Sequence, residues 1–161
     1  MHHRGFTLLE LMIVVAAVIV LSAIAMPALS NTVIERNINS AGIQLEQQIR
    51  LVQQKSITQR VGYPTFYIDF SAGAGGTYTV HIGTKAVTAR LSSSLVMSLV
   101  GFSSPLSFDS MGRPSQGSAP SALVNDCSVL IGNAAATTAT KQVSVSVGAV
   151  MGRVSVVWTR R

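Results

Sequence analysis

Few side chains in this 161-residue chain are of the kinds that carry chemistry, and their spacing narrows what they can do. Asp69, Asp109 and Asp126 fall on separate predicted loops and strands, so no two carboxylates stand at a fixed spacing for general acid–base work. The histidines are His2, His3 and His81, and the one cysteine is Cys127. Neither H-x-x-x-H nor C-x-x-C occurs, which leaves no metal-ligand spacing and no obvious Cys–His pair. A single cysteine also excludes an intrachain disulfide. The glycine-rich stretch at 71–76 contains no lysine and no G-x-x-x-x-G-K pattern, so it makes a poor phosphate cradle. The expectation is a protein that is not an enzyme, with no catalytic residues, no metal, no cofactor and no small-molecule substrate.

Two features remain. Glu10 follows Leu8-Leu9 directly at the head of an apolar run, where an ionised acid costs roughly 2.5–3.5 kcal/mol even on a lenient membrane-insertion scale. It needs a partner, or it must reach the headgroups. The second feature is charge. Net charge is +6, and no acid follows Asp126, whereas Lys141, Arg153, Arg160 and Arg161 do. Such an end either meets phosphates or acidic headgroups, or serves as a solvated, solubilising edge. Trp158 lies among these cations and either stacks on a base or packs in the core. His81 falls on the strand face opposite Tyr78 and Val80 and is expected to be exposed.

The elements that must position these residues belong to two environments. Only 11% of residues are charged and the mean hydropathy is +0.44, too apolar for an ordinary soluble domain of this length. Much of the excess lies in Leu11 to Leu29, nineteen residues with no charge, long enough at ~1.5 Å per residue to cross most of a bilayer core. Residues 1–5 form a short positive leader with Arg4, which the positive-inside rule puts on the cytoplasmic side. Ala23-Ile24-Ala25 resembles a secretory cleavage site, but the apolar core is long and Glu10 interrupts its start.

Past Pro27, residues Ile34, Ile38, Ala41, Leu45, Ile49 and Val52 recur at helical intervals, which predicts one buried stripe with Glu35, Arg36, Glu46 and Arg50 on other faces. Gly62 followed by Tyr63-Pro64 supplies a stop. A single helix is expected from Phe6 to about Arg60, a membrane or assembly segment over 6–30 and amphipathic over 31–62, with Pro27 kinking or loosening it. Residues 63–161 read as a β-rich globular domain. Strands are expected at 65–70 and 78–82 around a hairpin loop, at 106–108 before a turn, and at 128–131, 143–147 and 153–158. The fold class is α+β, a long N-terminal helix on an antiparallel sheet.

Gly5-Phe6-Thr7-Leu8-Leu9-Glu10, ahead of its apolar run, resembles the class III signal of type IV pilins and type II secretion pseudopilins. The resemblance implies cleavage after Gly5 by a prepilin peptidase, N-methylation of Phe6, and assembly through packed N-terminal helices. It pairs Glu10 with the α-amine of a neighbouring subunit's Phe6, which would offset the burial of both charges. The alternative is a Glu10 that snorkels to the interface without a partner. Phe108-Asp109 to Arg113-Pro114, with Gly152-Arg153-Val154, is similar to two landmarks of the GspH/FimT-type minor pilins. That implies a minor subunit that primes or caps a pilus, in the inner membrane before assembly, with the leader cytoplasmic and the globular domain periplasmic. The implied partners are other pilin subunits, prepilin peptidase and the inner membrane. A DNA receptor for transformation is an alternative, with Arg153, Arg160, Arg161 and Trp158 as candidate contacts, although Ser155 stands where a second basic residue is hoped for. A secretion pseudopilin and a major pilin are the others.

Overall fold

The computed structural model describes residues 7–134 and 141–160, without the side chains of 24–31 and 160. One helix, α1 (Leu8–Gln59), precedes eleven strands: β1 (Phe66–Ser71), β2 (Gly73–Ala74), β3 (Thr77–Ile82), β4 (Lys85–Arg90), β5 (Leu95–Val100), β6 (Leu106–Phe108), β7 (Pro114–Gln116), β8 (Ser121–Ala122), β9 (Cys127–Asn133), β10 (Lys141–Val147) and β11 (Val154–Arg160). The chain divides into two compact units, Met1–Glu35 and Arg36–Arg161, so the boundary falls inside α1.

In the first unit, the helix runs with its large apolar side chains open. Leu8 to Leu21 are each about half exposed or more, and Leu8 reaches 79%. α1 continues without a break through Pro27. Among the described residues, no helix is long and apolar enough to cross a membrane. The membrane span expected over 6–30 therefore gains no support here; the side chains described in that run end at Ala23.

In the second unit, α1 supplies a buried stripe of Ile38, Leu45, Ile49 and Val52. One position differs from expectation. Gly42, not Ala41, is the fully covered residue between Ile38 and Leu45. A Cβ at Gly42 would lie 2.8 Å from a Val143 methyl, so the missing side chain is what lets the helix approach β10. The stripe ends at Ser56, buried with its hydroxyl unpartnered.

The helix ends at Gln59, close to the expected end at about Arg60, but Gly62 is not its cap. Arg60 adopts the left-handed conformation, with φ 55°, while Val61 N–H donates to Ser56 O and Arg60 N–H to Ile57 O. This pair of bonds is a Schellman cap with arginine where glycine is usual. Gly62 serves a different purpose, since a Cβ there would sit 2.5 Å from the Phe108 carbonyl oxygen.

Every strand pairing is antiparallel, as expected, but there are two sheets. Six strands run in the order β4-β3-β1-β6-β7-β8 and five in the order β11-β10-β9-β5-β2. Strands β4, β5, β7 and β8 lie outside the runs expected from sequence. The glycine-rich connection is more than a hairpin loop: between β1 and β3 the chain crosses to the other sheet, where Gly73-Ala74 pairs with Met97-Val96 of β5. Phe66, Ile68, Phe70, Tyr78 and Val80 of one sheet, and Met97, Val129, Ile131, Val143, Val145 and Val147 of the other, form the core with the helical stripe.

Candidate functional site: the helix start and the two Gly-Arg turns

At the start of α1, Thr7 is the N-cap. Its hydroxyl accepts the Glu10 N–H at 3.2 Å, and its carbonyl accepts the N–H groups of Glu10 and Leu11. Thr7-Leu8-Leu9-Glu10 is thus the spacing of a capping box, in which an acid three residues past a threonine complements the unpaired N–H groups and the positive end of the helix dipole. This local role was legible in the T-x-x-E pattern and was missed. Glu10 is exposed, and no cation pairs with it among the described residues. Gly5 and Phe6, the expected processing residues, lie outside the described residues, and the side chain of Pro27 does too.

The two Gly-Arg landmarks, forty residues apart in sequence, meet in space. Gly112 and Gly152 both have positive φ, 81° and 60°. Gln53 of α1 donates to the carbonyls of both, at 2.9 Å each. A Cβ on Gly152 would run into the Gly112 carbonyl oxygen and the Gln53 amide, and one on Gly112 would meet Ile57 at 2.8 Å. One glutamine therefore locks both turns to the helix. Nothing in the sequence marked Gln53, a half-buried polar residue among other glutamines.

Neighbouring contacts stiffen the two turns. In the first, the Asp109 carboxylate accepts the N–H groups of Met111 and Arg113, and Arg113 Nε at 2.8 Å. Burial acts most strongly on Asp109 and upward, but these bonds together outweigh it and hold the carboxyl below its ordinary range. In the second, Ala149 N–H donates to Asp126 Oδ1. Arg50, bonded to Glu46, also donates to the Val154 carbonyl at 2.8 Å. A groove of about 470 Å³ opens beside the turns, lined mainly by Pro114, Pro120, Leu123, Ala149 and Val150, with Asp109 and Arg113 at its rim.

The candidate nucleic-acid residues that are described are spread along β11. Arg153 is exposed at the start of β11, and Arg160 closes that strand opposite Lys141. Seven residues at ~3.3 Å each separate them by roughly 20 Å. Trp158 is 47% exposed, not a core residue, because it sits near the end of an edge strand. Arg161 lies outside the described residues.

His81 is half-buried instead of exposed: its ring stacks on Tyr67 at 4.1 Å, and its Nε2 lies 3.3 Å from Asp69. Cys127 is buried, and desolvation above all pushes its thiol up to about 11. Among the described residues no group of three metal-ligating side chains occurs.

Residues 1–26 match the family model described as the prokaryotic N-terminal methylation motif. The match supports a type IV pilin-like precursor of membrane-anchored type, and it covers the N-terminal segment of the 161-residue chain. No curated protein and no solved structure matches the chain.

Proposed function

From an N-terminus that carries the prokaryotic methylation motif, we propose that this protein is a minor type IV pilin of the GspH/FimT kind, a structural subunit that primes or caps a filament. The observation that carries the proposal is the motif together with the run inside it, Leu8 to Leu21, whose apolar side chains nothing among the described residues covers. Such a surface must be covered by lipid before assembly and by neighbouring helices after it. Cleavage after Gly5 frees the amine of Phe6, three residues ahead of Leu9 and four ahead of Glu10, and methylation modifies it. Docking against a neighbouring subunit then lets Glu10 meet that amine, so an unpaired carboxylate favours the assembled state. The minor-subunit reading draws support from the two Gly-Arg turns, which Gln53 makes into one unit. Inner-membrane residence with the leader cytoplasmic, the prepilin peptidase as partner, and the absence of enzymatic activity belong to the same proposal.

The test uses two variants in cells that make the filament. Gly5→Ala should remain full length and absent from filaments. Glu10→Ala should be shortened normally and yet be depleted from the filament fraction. Normal shortening of Gly5→Ala, or wild-type incorporation of Glu10→Ala, would refute the corresponding step.

Exposure of Trp158 and Arg153 favours a second reading, a DNA-contacting subunit. The separation of Arg153 from Arg160 along β11 weighs against a compact phosphate-binding patch. A salt titration of DNA binding by the full chain in detergent, with Arg153, Arg160 and Arg161 changed to Ala, decides it. Binding that weakens with salt and is lost in the triple variant supports the DNA role.

A further inference from the structure

Strand β11 is the outer strand of the five-stranded sheet, paired only with β10. Its hydrogen-bond parity can be worked out. Gly148 N–H donates to Arg153 O at 2.9 Å, so in the antiparallel alternation Ser155, Val157 and Thr159 turn their N–H and C=O groups toward β10. Val154, Val156, Trp158 and Arg160 turn theirs outward. Arg50 verifies this parity by reaching the Val154 carbonyl from outside the sheet. Arg50 thereby closes one end of the edge and leaves Val156 and Trp158 with no backbone partner among the described residues.

The side chains along this edge suit an incoming strand. Val157 is 51% exposed on one face and Trp158 47% on the other, both apolar surfaces that a cross-strand neighbour would cover. Charge selects which neighbour. β11 is flanked by exposed Arg153 and by Arg160, and the chain has no acid after Asp126. The other long outer strand, β4, carries exposed Lys85 and Arg90 at its two ends. The remaining outer strands, β2 and β8, have two residues each. Pairing β11 with β11 or β4 of a second copy would set cations against cations, which is how sheet edges are kept from self-association.

We infer that the outer edge of β11 receives an extended acidic segment from a different polypeptide, which adds a strand through the backbone groups of Val156 and Trp158. A carboxylate of the segment meets the exposed Arg153, and its apolar residues cover Val157 and Trp158.

Trp158 is the sole tryptophan, so its fluorescence reports the edge directly. The probe is a blocked peptide of about eight residues with valines in its middle and two glutamates at each end, long enough for an ordinary strand and apolar on both faces at its centre, with the lysine counterpart as control. The full chain in detergent is titrated with each. The glutamate peptide should shift Trp158 emission, and the lysine peptide should not. Val156→Pro removes one outward N–H but no bond to β10, a substitution that edge strands tolerate. It should weaken binding about tenfold, whereas Val156→Ala keeps the N–H and should bind like the parent. In the unaltered chain, the peptide should also slow hydrogen exchange at Val156 and Trp158, which holds the test open if the proline variant misfolds. Equal binding by Val156→Pro and Val156→Ala, or unchanged exchange at those amides, would overturn the inference. So would a single-stranded oligonucleotide that displaces the peptide and binds Val156→Pro as tightly as the parent, since that result describes a phosphate-binding surface.

Discussion

The two halves of α1 are built by opposite rules. Between Leu8 and Leu21 the helix is apolar nearly all round, Glu10 excepted, and its large side chains stand open. Between Ile38 and Val52 it is apolar along one stripe, and that stripe is at most 1% exposed. The second half is completed by the chain's own sheets. The first is left open by the described residues, and it is also the half that carries the methylation motif. Under the proposed function, folding and assembly fall to different stretches of a single helix, so a substitution should disturb one without the other.

Gly152→Ala should have the largest effect. The new methyl would enter the space of the Gly112 carbonyl and the Gln53 amide at a left-handed residue, breaking the joint that holds both turns. A loss of about 4 kcal/mol or more, seen as a collapsed thermal transition, is expected from strain combined with overpacking. N-terminal processing should be spared, provided the chain still reaches the membrane.

A matched pair of substitutions sharpens the contrast. Ile49→Ala empties a fully buried site and should cost about 3 kcal/mol by denaturant unfolding. Ile13→Ala, at a residue 61% exposed, should leave unfolding within about 0.5 kcal/mol of the parent and instead lower recovery in the filament fraction. Equal destabilisation by the two would erase the distinction between the halves. At the end of the helix, Arg60→Gly relieves a left-handed arginine and should stabilise the second unit by roughly 0.5–1 kcal/mol, measured as a small rise in Tm.

The smallest effect near neutral pH concerns Cys127. Its ordinary pKa of 9.0 rises to about 11 in the fold, so the folded state favours the neutral thiol. The associated stability is complete below pH 9 and is lost as pH rises through about 11. A thiol reagent at pH 8 should leave the native protein unlabelled and label it once unfolded.

What was legible in the sequence follows the same division. Period and pattern reached the long helix, its buried stripe and the strands at 66–71, 77–82, 127–133, 141–147 and 154–160, because each is long enough for its alternation to stand out. Short or irregular pieces escaped. β2 is two glycine-rich residues that cross between sheets, and β4 is exposed along nearly its whole length, so neither has an apolar pattern to read. Gly42 entered the stripe in place of Ala41 because the approach of Val143 decides the contact, and no local propensity reports that. Arg60 took the cap position expected near Gly62 for a similar reason, since the backbone approach at Phe108 had already claimed that glycine. At the functional residues, the leader motif was readable as a string, whereas the joining of two Gly-Arg turns through Gln53 depends on contacts between residues far apart in sequence.

The most direct test is the mass of the N-terminal peptide from chain recovered out of membranes that contain an active prepilin peptidase. The account predicts a chain that begins at Phe6 and carries one methyl group on its amine. A chain that still begins at Met1, or one cut near Ala25 in the manner of an ordinary secretory signal, would contradict it.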